Sequence, residues 1–222
     1  MYITTVLGSW IVRCWRLITQ AGIRSLGIIL FLKESEAVFS TQEDYGGNKR
    51  LAEEVILAAH KDQKIQGTIL RPPHIYGPGS NPGSIPQHGR CHHLLDNIKA
   101  GETLKLLHGG LGLIQPIHAD DFAHLILAIT DKEASYGEAY NTSGPELITH
   151  LDYYKTIAAA LGTSINVTAY CPKPGAPDVN YYVAGHRCYN MGQTKRPPPK
   201  LYLHPLQERD YRLGGPSLQR VD

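Results

Sequence analysis

Tyr45 and Lys49 stand four residues apart in Tyr45-Gly46-Gly47-Asn48-Lys49, and on a helix that spacing sets two side chains on one face, one turn apart. A tyrosine that is to take up and return a proton near neutrality needs a nearby cation, because its ordinary pKa is about 10. The Lys49 ammonium supplies that charge. It can also hydrogen-bond the ribose of a bound nucleotide, so one side chain would serve both proton transfer and binding. Pairs of this kind are common on ordinary protein surfaces, and this one gains meaning only from what surrounds it.

The element that must carry the pair is easy to place. From Asn48 to Asp62, the residues Leu51, Ala52, Val55, Ile56 and Ala59 recur at helical spacing with Lys49, Glu53 and Glu54 between them. This predicts an amphipathic helix whose apolar stripe belongs to the core. Upstream, Ser9 to Ala21 has a mixed helical periodicity closed by Gly22, and the uninterrupted apolar run Leu26 to Leu32 fits a strand buried on both faces. Downstream, Ile65 to Leu70 reads as a strand that Arg71-Pro72-Pro73 ends, since proline has no N–H for a ladder. Pro72 to Gly89 is a loop rich in proline and glycine whose length suggests function. Helices are expected at His92 to Ala100, from Asp120 through Phe122, Leu125, Ile126 and Ile129, and from an N-cap at Thr149 to Leu161, where Gly162 stops it. Short strands fit Leu104 to Leu107, Leu113 to Ile117 and Ala139 to Asn141. Past Cys171 prolines accumulate and irregular structure is expected. Strands alternating with helices predict an α/β chain with a parallel sheet.

Other groups carry weaker chemical signals. His74 is a loop histidine whose imidazole can orient a ligand or simply face solvent. Cys91-His92-His93 offers adjacent ligands that cannot close a tetrahedral site unaided, and no metal is expected. Asp120 and Asp121 are accounted for as carboxylates at a helix start. Arg187 has a fork that fits a substrate phosphate, and a surface arginine is an equal reading.

With 42% hydrophobic and 19% charged residues, the 222-residue chain can bury a substantial core. Its 22 basic and 20 acidic residues leave a net charge of +2 without a basic block, so no nucleic-acid partner is expected. Cys14, Cys91, Cys171 and Cys188 form no C-x-x-C pair, which reads as free thiols in a reducing compartment. The apolar start from Met1 to Val12 lacks a basic region and meets Arg13 too soon to span a bilayer. Neither a signal peptide nor a membrane helix is expected, and the localisation expected is cytoplasmic.

Several stretches appear in one order along the chain: Tyr45 to Lys49, then Leu51-Ala52-Glu53-Glu54, then Arg71-Pro72-Pro73-His74-Ile75-Tyr76-Gly77-Pro78-Gly79, then Ile117-His118-Ala119-Asp120-Asp121-Phe122-Ala123, then Ala139-Tyr140-Asn141. In this order the chain resembles the extended short-chain dehydrogenase/reductases, the NAD-dependent epimerase/dehydratase group. Ser35-Glu36-Ala37-Val38-Phe39 is similar to that family's S-x-x-V-Y, and Tyr189 to Lys195 to its y-D-x-x-K segment. The resemblance implies Tyr45 as acid/base, Lys49 as its tuning cation and Ser35 as the serine that hydrogen-bonds the reacting oxygen. It implies NAD or NADP as cofactor, met by Tyr45, Lys49, Pro72 and His74, and a small-molecule substrate such as a nucleotide sugar, with Arg187 as a substrate-binding candidate. The family's chain opens with a strand, a G-x-x-G-x-x-G turn and a helix that hold the cofactor pyrophosphate. The 222 residues contain no such turn.

The expected fold class is therefore α/β, a partial doubly wound Rossmann-like parallel sheet with a smaller α+β substrate-binding lobe. Residues 1–78 would be the remaining carboxy-side part of the Rossmann-like domain. Residues 79–222 would be mainly the substrate-binding lobe, with elements near 112–131 returning to the first domain. The expected function is that of a truncated NAD(P)-dependent epimerase/dehydratase or dehydrogenase. The alternative is a non-catalytic epimerase-like binding protein or an inactive truncated product. A homodimer is compatible with either.

Overall fold

The structure is a computed structural model that describes residues 2–5, 31, 33–34, 45–84, 91–171 and 186–192. In chain order its elements begin with β1 (Tyr2–Thr5), α1 (Tyr45–Lys61), β2 (Gly67–Arg71), β3 (Ile75–Tyr76), α2 (Leu94–Lys99) and β4 (Thr103–Leu107). They continue with β5 (Leu113–Ile114), β6 (Ile117–His118), α3 (Ala119–Ile129), β7 (Ala139–Asn141), β8 (Ile148–Thr149), α4 (His150–Ala160) and β9 (Asn166–Tyr170). The chain divides into two compact units. The first takes the described residues up to Pro73, Asp121–Ser143 and residues 186–192; the second takes those of His74–Asp120 and residues 144–171.

The first unit is built on a parallel sheet of order β1-β2-β7. Every residue of the central strand β2 is buried, as a strand covered on both faces requires. Ile69 and Leu70 supply its apolar bulk, and the buried Thr68 hydroxyl donates to the Ser135 carbonyl at 2.7 Å, so its polarity costs little. The strand opens with Gly67 because α1 passes so close: a Cβ there would lie 2.7 Å from Ile56 Cγ2.

Helix α1 departs from the sequence expectation in two ways. It starts at Tyr45 rather than Asn48, since Gly46 and Gly47 have poor helix propensity and hide the first turn from any apolar count. It is also turned outward. Leu51 is 48% exposed and Val55 66%, while Glu53 is 2% exposed. The stripe expected to lie in the core is thus largely a surface stripe, because the buried side of α1 is fixed by a charge pair described below.

In the second unit α2, α4, β4 and β5 surround a core of Leu94, Ile98, Leu104, Leu106, Tyr153 and Ile157. Helix α4 starts where the sequence places it: the Thr149 hydroxyl caps it by accepting from Asp152 N at 2.9 Å. The single strand expected over Leu113 to Ile117 is two strands, split at Gln115-Pro116. β5 pairs antiparallel with β8 and β6 pairs parallel with β3. The split is closed by Gly144, whose N–H donates to Pro116 O at 3.1 Å and at which any Cβ would collide with that carbonyl. β3 lies inside the expected loop from Pro72 to Gly89, and β9, parallel to β4, lies where no strand was expected. The helix expected at Ser9 to Ala21 lies outside the described residues. So does the strand expected at Leu26 to Leu32 except Phe31, which is exposed and in no strand. No helix of the described residues is long and apolar enough to cross a membrane.

Candidate functional site

Helix α1 carries Tyr45 and Lys49 one turn apart on its backbone, with Tyr45 as its first residue. Lys49 is half-buried; the side chain of Tyr45, and all of Ser35, lie outside the described residues. One further turn along, Glu53 anchors the helix. Its carboxylate accepts two hydrogen bonds from Arg71, from Nε at 3.0 Å and from Nη2 at 2.8 Å. Arg71 is 7% exposed, so a bidentate ion pair is buried between the helix and the last residue of β2. Taking two charges out of water is costly unless they satisfy one another, and the fork geometry does so with two parallel bonds.

The same guanidinium reaches a third segment: Arg71 Nη1 donates to the Glu34 carbonyl at 3.3 Å. The Glu34 carboxylate in turn accepts the backbone N–H of Asn141, at the end of β7, at 2.8 Å. Strand β7 is in register with β2, Arg71 facing Asn141. The chain at Glu34 and the middle of α1 are thereby joined to the carboxyl end of β2 through one arginine, and Glu34 extends the link to the carboxyl end of β7.

Pro72, buried, follows directly. Residues 186–192 close this end of the unit: Asn141 Nδ2 donates to Asn190 O at 3.3 Å and Ser143 N to Met191 Sδ at 3.1 Å. Burial pushes the phenol of Tyr189 above its ordinary range; the positive Arg187 nearby opposes the shift and Cys188 adds to it. Burial raises the Cys188 thiol as well. Tyr140 of β7 is raised first by burial, then by the charges of Glu138 and Glu34. Arg187 itself is half-buried, not a fully exposed surface arginine.

In the second unit His74 is half-buried rather than solvent-facing. Its Nε2 lies 3.0 Å from the Tyr153 hydroxyl, and the rings meet edge to face at 5.4 Å. Asp120 is exposed with its N–H donating to His118 Nδ1, whereas Asp121 is buried. Among the described residues no group of three histidine, cysteine, aspartate or glutamate side chains is placed to hold a metal ion.

The structure thus gathers Lys49, the backbone of Tyr45 and Pro72 in one unit through Glu53 and Arg71. Sequence reasoning names those last two within the element patterns and the family-like stretches but assigns them no role in the site. The available signal was an arginine closing an apolar strand and a glutamate two helical turns after a candidate tyrosine, a pairing that no periodicity reveals.

A buried parallel strand with a Y-x-x-x-K helix packed on it defines a Rossmann-like α/β chain. The chain belongs to the NAD dependent epimerase/dehydratase family, whose profile matches residues 30–143, about half of the sequence. Solved structures agree on the fold. The chain is similar to a dTDP-glucose 4,6-dehydratase from Bacillus anthracis in complex with NAD, at 22% identity and a TM-score of 0.57 over 77% of this chain and 50% of that one. It is similar to a UDP-glucose 4-epimerase from Thermotoga maritima with UDP-glucose, at 16% identity and TM-score 0.62 over 87% and 55%. It is similar also to a UDP-glucuronic acid 4-epimerase from Bacillus cereus in complex with UDP-glucuronic acid and NAD, at 18% and 0.58 over 86% and 52%. The chain spans about half the length of each of these. No curated protein matches the sequence.

Proposed function

We propose that this chain carries the proton-transfer part of an NAD(P)-dependent epimerase/dehydratase acting on a nucleotide sugar or a related alcohol or ketone in the cytoplasm. The observation that carries the reading is the bracing of the Tyr45–Lys49 helix against the carboxyl end of β2 by a buried ion pair, the end at which open α/β sheets bind ligands.

The donor set fits the ribose end of a nicotinamide cofactor: Lys49 offers an ammonium to sugar hydroxyls from a half-buried position. A glycine-rich turn for the pyrophosphate is not among these 222 residues. When bound, the cofactor would accept or return hydride. Tyr45 would take the proton from the substrate hydroxyl and give it back, the Lys49 charge would favour its phenolate, and Ser35 would hydrogen-bond the reacting oxygen. Pro72 would shape the cofactor side of the site and Arg187 would meet the substrate phosphate. His74, whose Nε2 lies 3.0 Å from the Tyr153 hydroxyl, would also meet the cofactor, and the residues from 79 onward would serve mainly as the substrate lobe. The outward stripe of Leu51 and Val55 supports a homodimer through α1, and the free thiols of Cys91, Cys171 and Cys188 suit a reducing compartment.

Calorimetric titration with NADH and NADPH tests the reading. Saturable binding that Lys49→Ala weakens by about tenfold, the loss of one charge-assisted contact, is the expected result. A folded chain that binds neither nucleotide would place it among the non-catalytic relatives.

A further inference from the structure

The Arg71 guanidinium does more than neutralise Glu53. Two of its nitrogens are spent on the Glu53 carboxylate and a third on the Glu34 carbonyl. Glu34 immediately precedes Ser35, and Glu53 lies one helical turn beyond Lys49. From these contacts we infer that Arg71 is a positioning residue: it sets the separation between Glu34 and the helix of Tyr45 and Lys49, with Glu34 passing the constraint to β7. This rests on the nucleotide-site reading above for its effect on binding, though not for its effect on structure.

The chemistry selects arginine. A planar fork can bond both oxygens of one carboxylate and still direct its remaining nitrogen elsewhere, whereas a lysine ammonium at the end of β2 is a single point that cannot span Glu53 and Glu34 together. Glu34 takes part with both its groups. Its carbonyl faces Arg71 and its carboxylate receives the Asn141 N–H, so a shift at Arg71 is felt at the end of β7.

The test separates positioning from plain stability. Arg71→Met alone strands the Glu53 charge, but the double variant Arg71→Met/Glu53→Leu removes both charges and refills the space with apolar atoms, an exchange that buried ion pairs commonly tolerate. On the full chain, the readouts are the thermal melt, NADH affinity and hydrogen exchange at the Asn141 amide. A positioning role predicts a double variant that melts like the parent yet binds NADH about tenfold more weakly and exchanges the Asn141 amide about tenfold faster. Recovery of both affinity and exchange together with the melt would overturn it. Arg71→Lys provides a second route if the double variant does not fold: fast Asn141 exchange in a folded Lys variant supports the inference, and parental exchange contradicts it. Should the parent chain bind no NADH, the nucleotide reading fails by itself, and Asn141 exchange still decides whether Arg71 positions Glu34.

Discussion

The two units join helix to sheet by different physics. In the first, the helix that carries Tyr45 and Lys49 meets the sheet through the buried Glu53–Arg71 pair and the close approach of Ile56 to Gly67, while Leu51 and Val55 face outward. In the second, α2 and α4 meet the strands through aliphatic and aromatic side chains. Tyr153 is fully buried there and packs edge to face on Tyr76 and Tyr154. Packing tolerates small readjustments of volume, but a bidentate ion pair fixes distance and angle. The second kind of joint fixes α1 against the carboxyl end of β2.

The contrast breaks most easily at Arg71. Arg71→Met leaves the Glu53 carboxylate buried and unmatched and should cost about 3–5 kcal/mol, read by denaturant unfolding; a cost typical of a surface residue would mean that the pair is not the joint described. In the other unit, Leu106→Ala removes a fully buried side chain and should cost about 3 kcal/mol through the cavity it leaves. Its NADH affinity should match the parent's, since volume and not charge is lost.

Alkaline pH sharpens the same comparison. The Cys188 thiol is raised above its ordinary 9.0 and the Tyr189 phenol above 10.0, both first by burial. Each folded-state pKa lies above the unfolded one, so their contribution is fully present below the unfolded values and is lost as pH rises through the folded ones. Unfolding midpoints should therefore be unaffected by these groups below about pH 9 and fall above it, and the double variant Cys188→Ala/Tyr189→Phe should flatten that fall. A fall as steep in the variant would assign it to other groups. The smallest effect on stability is expected at Val55: Val55→Glu, on an exposed stripe, should change stability by less than about 0.5 kcal/mol. It should nevertheless shift sedimentation toward the monomer. An unchanged dimer, or a parent that is already monomeric, would remove α1 from the interface.

Much of the second unit was legible because its signals are local. Thr149 is an N-cap with a hydroxyl to offer and Gly162 ends α4 with φ of +71°; in the first unit the apolar positions of Phe122 and Leu125 likewise mark the buried side of α3. What escaped was set by partners distant in sequence. Glu53 reads as a surface acid until Arg71, 18 residues on, is seen to receive it. In β9 the apolar Val167 and Ala169 alternate with the polar Asn166 and Thr168, but the run is short and mostly exposed, and what makes it a strand is backbone pairing with β4, far earlier in the chain. Pro116 was visible, but an apolar run on either side of it concealed that it divides two strands bound for different partners. In the candidate site, the spacing of Tyr45 and Lys49 is visible because that pair is local, whereas the clamp that holds their helix is not.

The central claim is that the first unit's α1 is a nucleotide-binding helix held by a charge clamp. Hydrogen exchange of the full chain with and without saturating NADH tests it most directly. The account predicts slower exchange in α1 around Lys49 and at the carboxyl end of β2, with α4 and β4 unchanged. Protection confined to α4 and β4, or no protection anywhere in a folded chain, would contradict it.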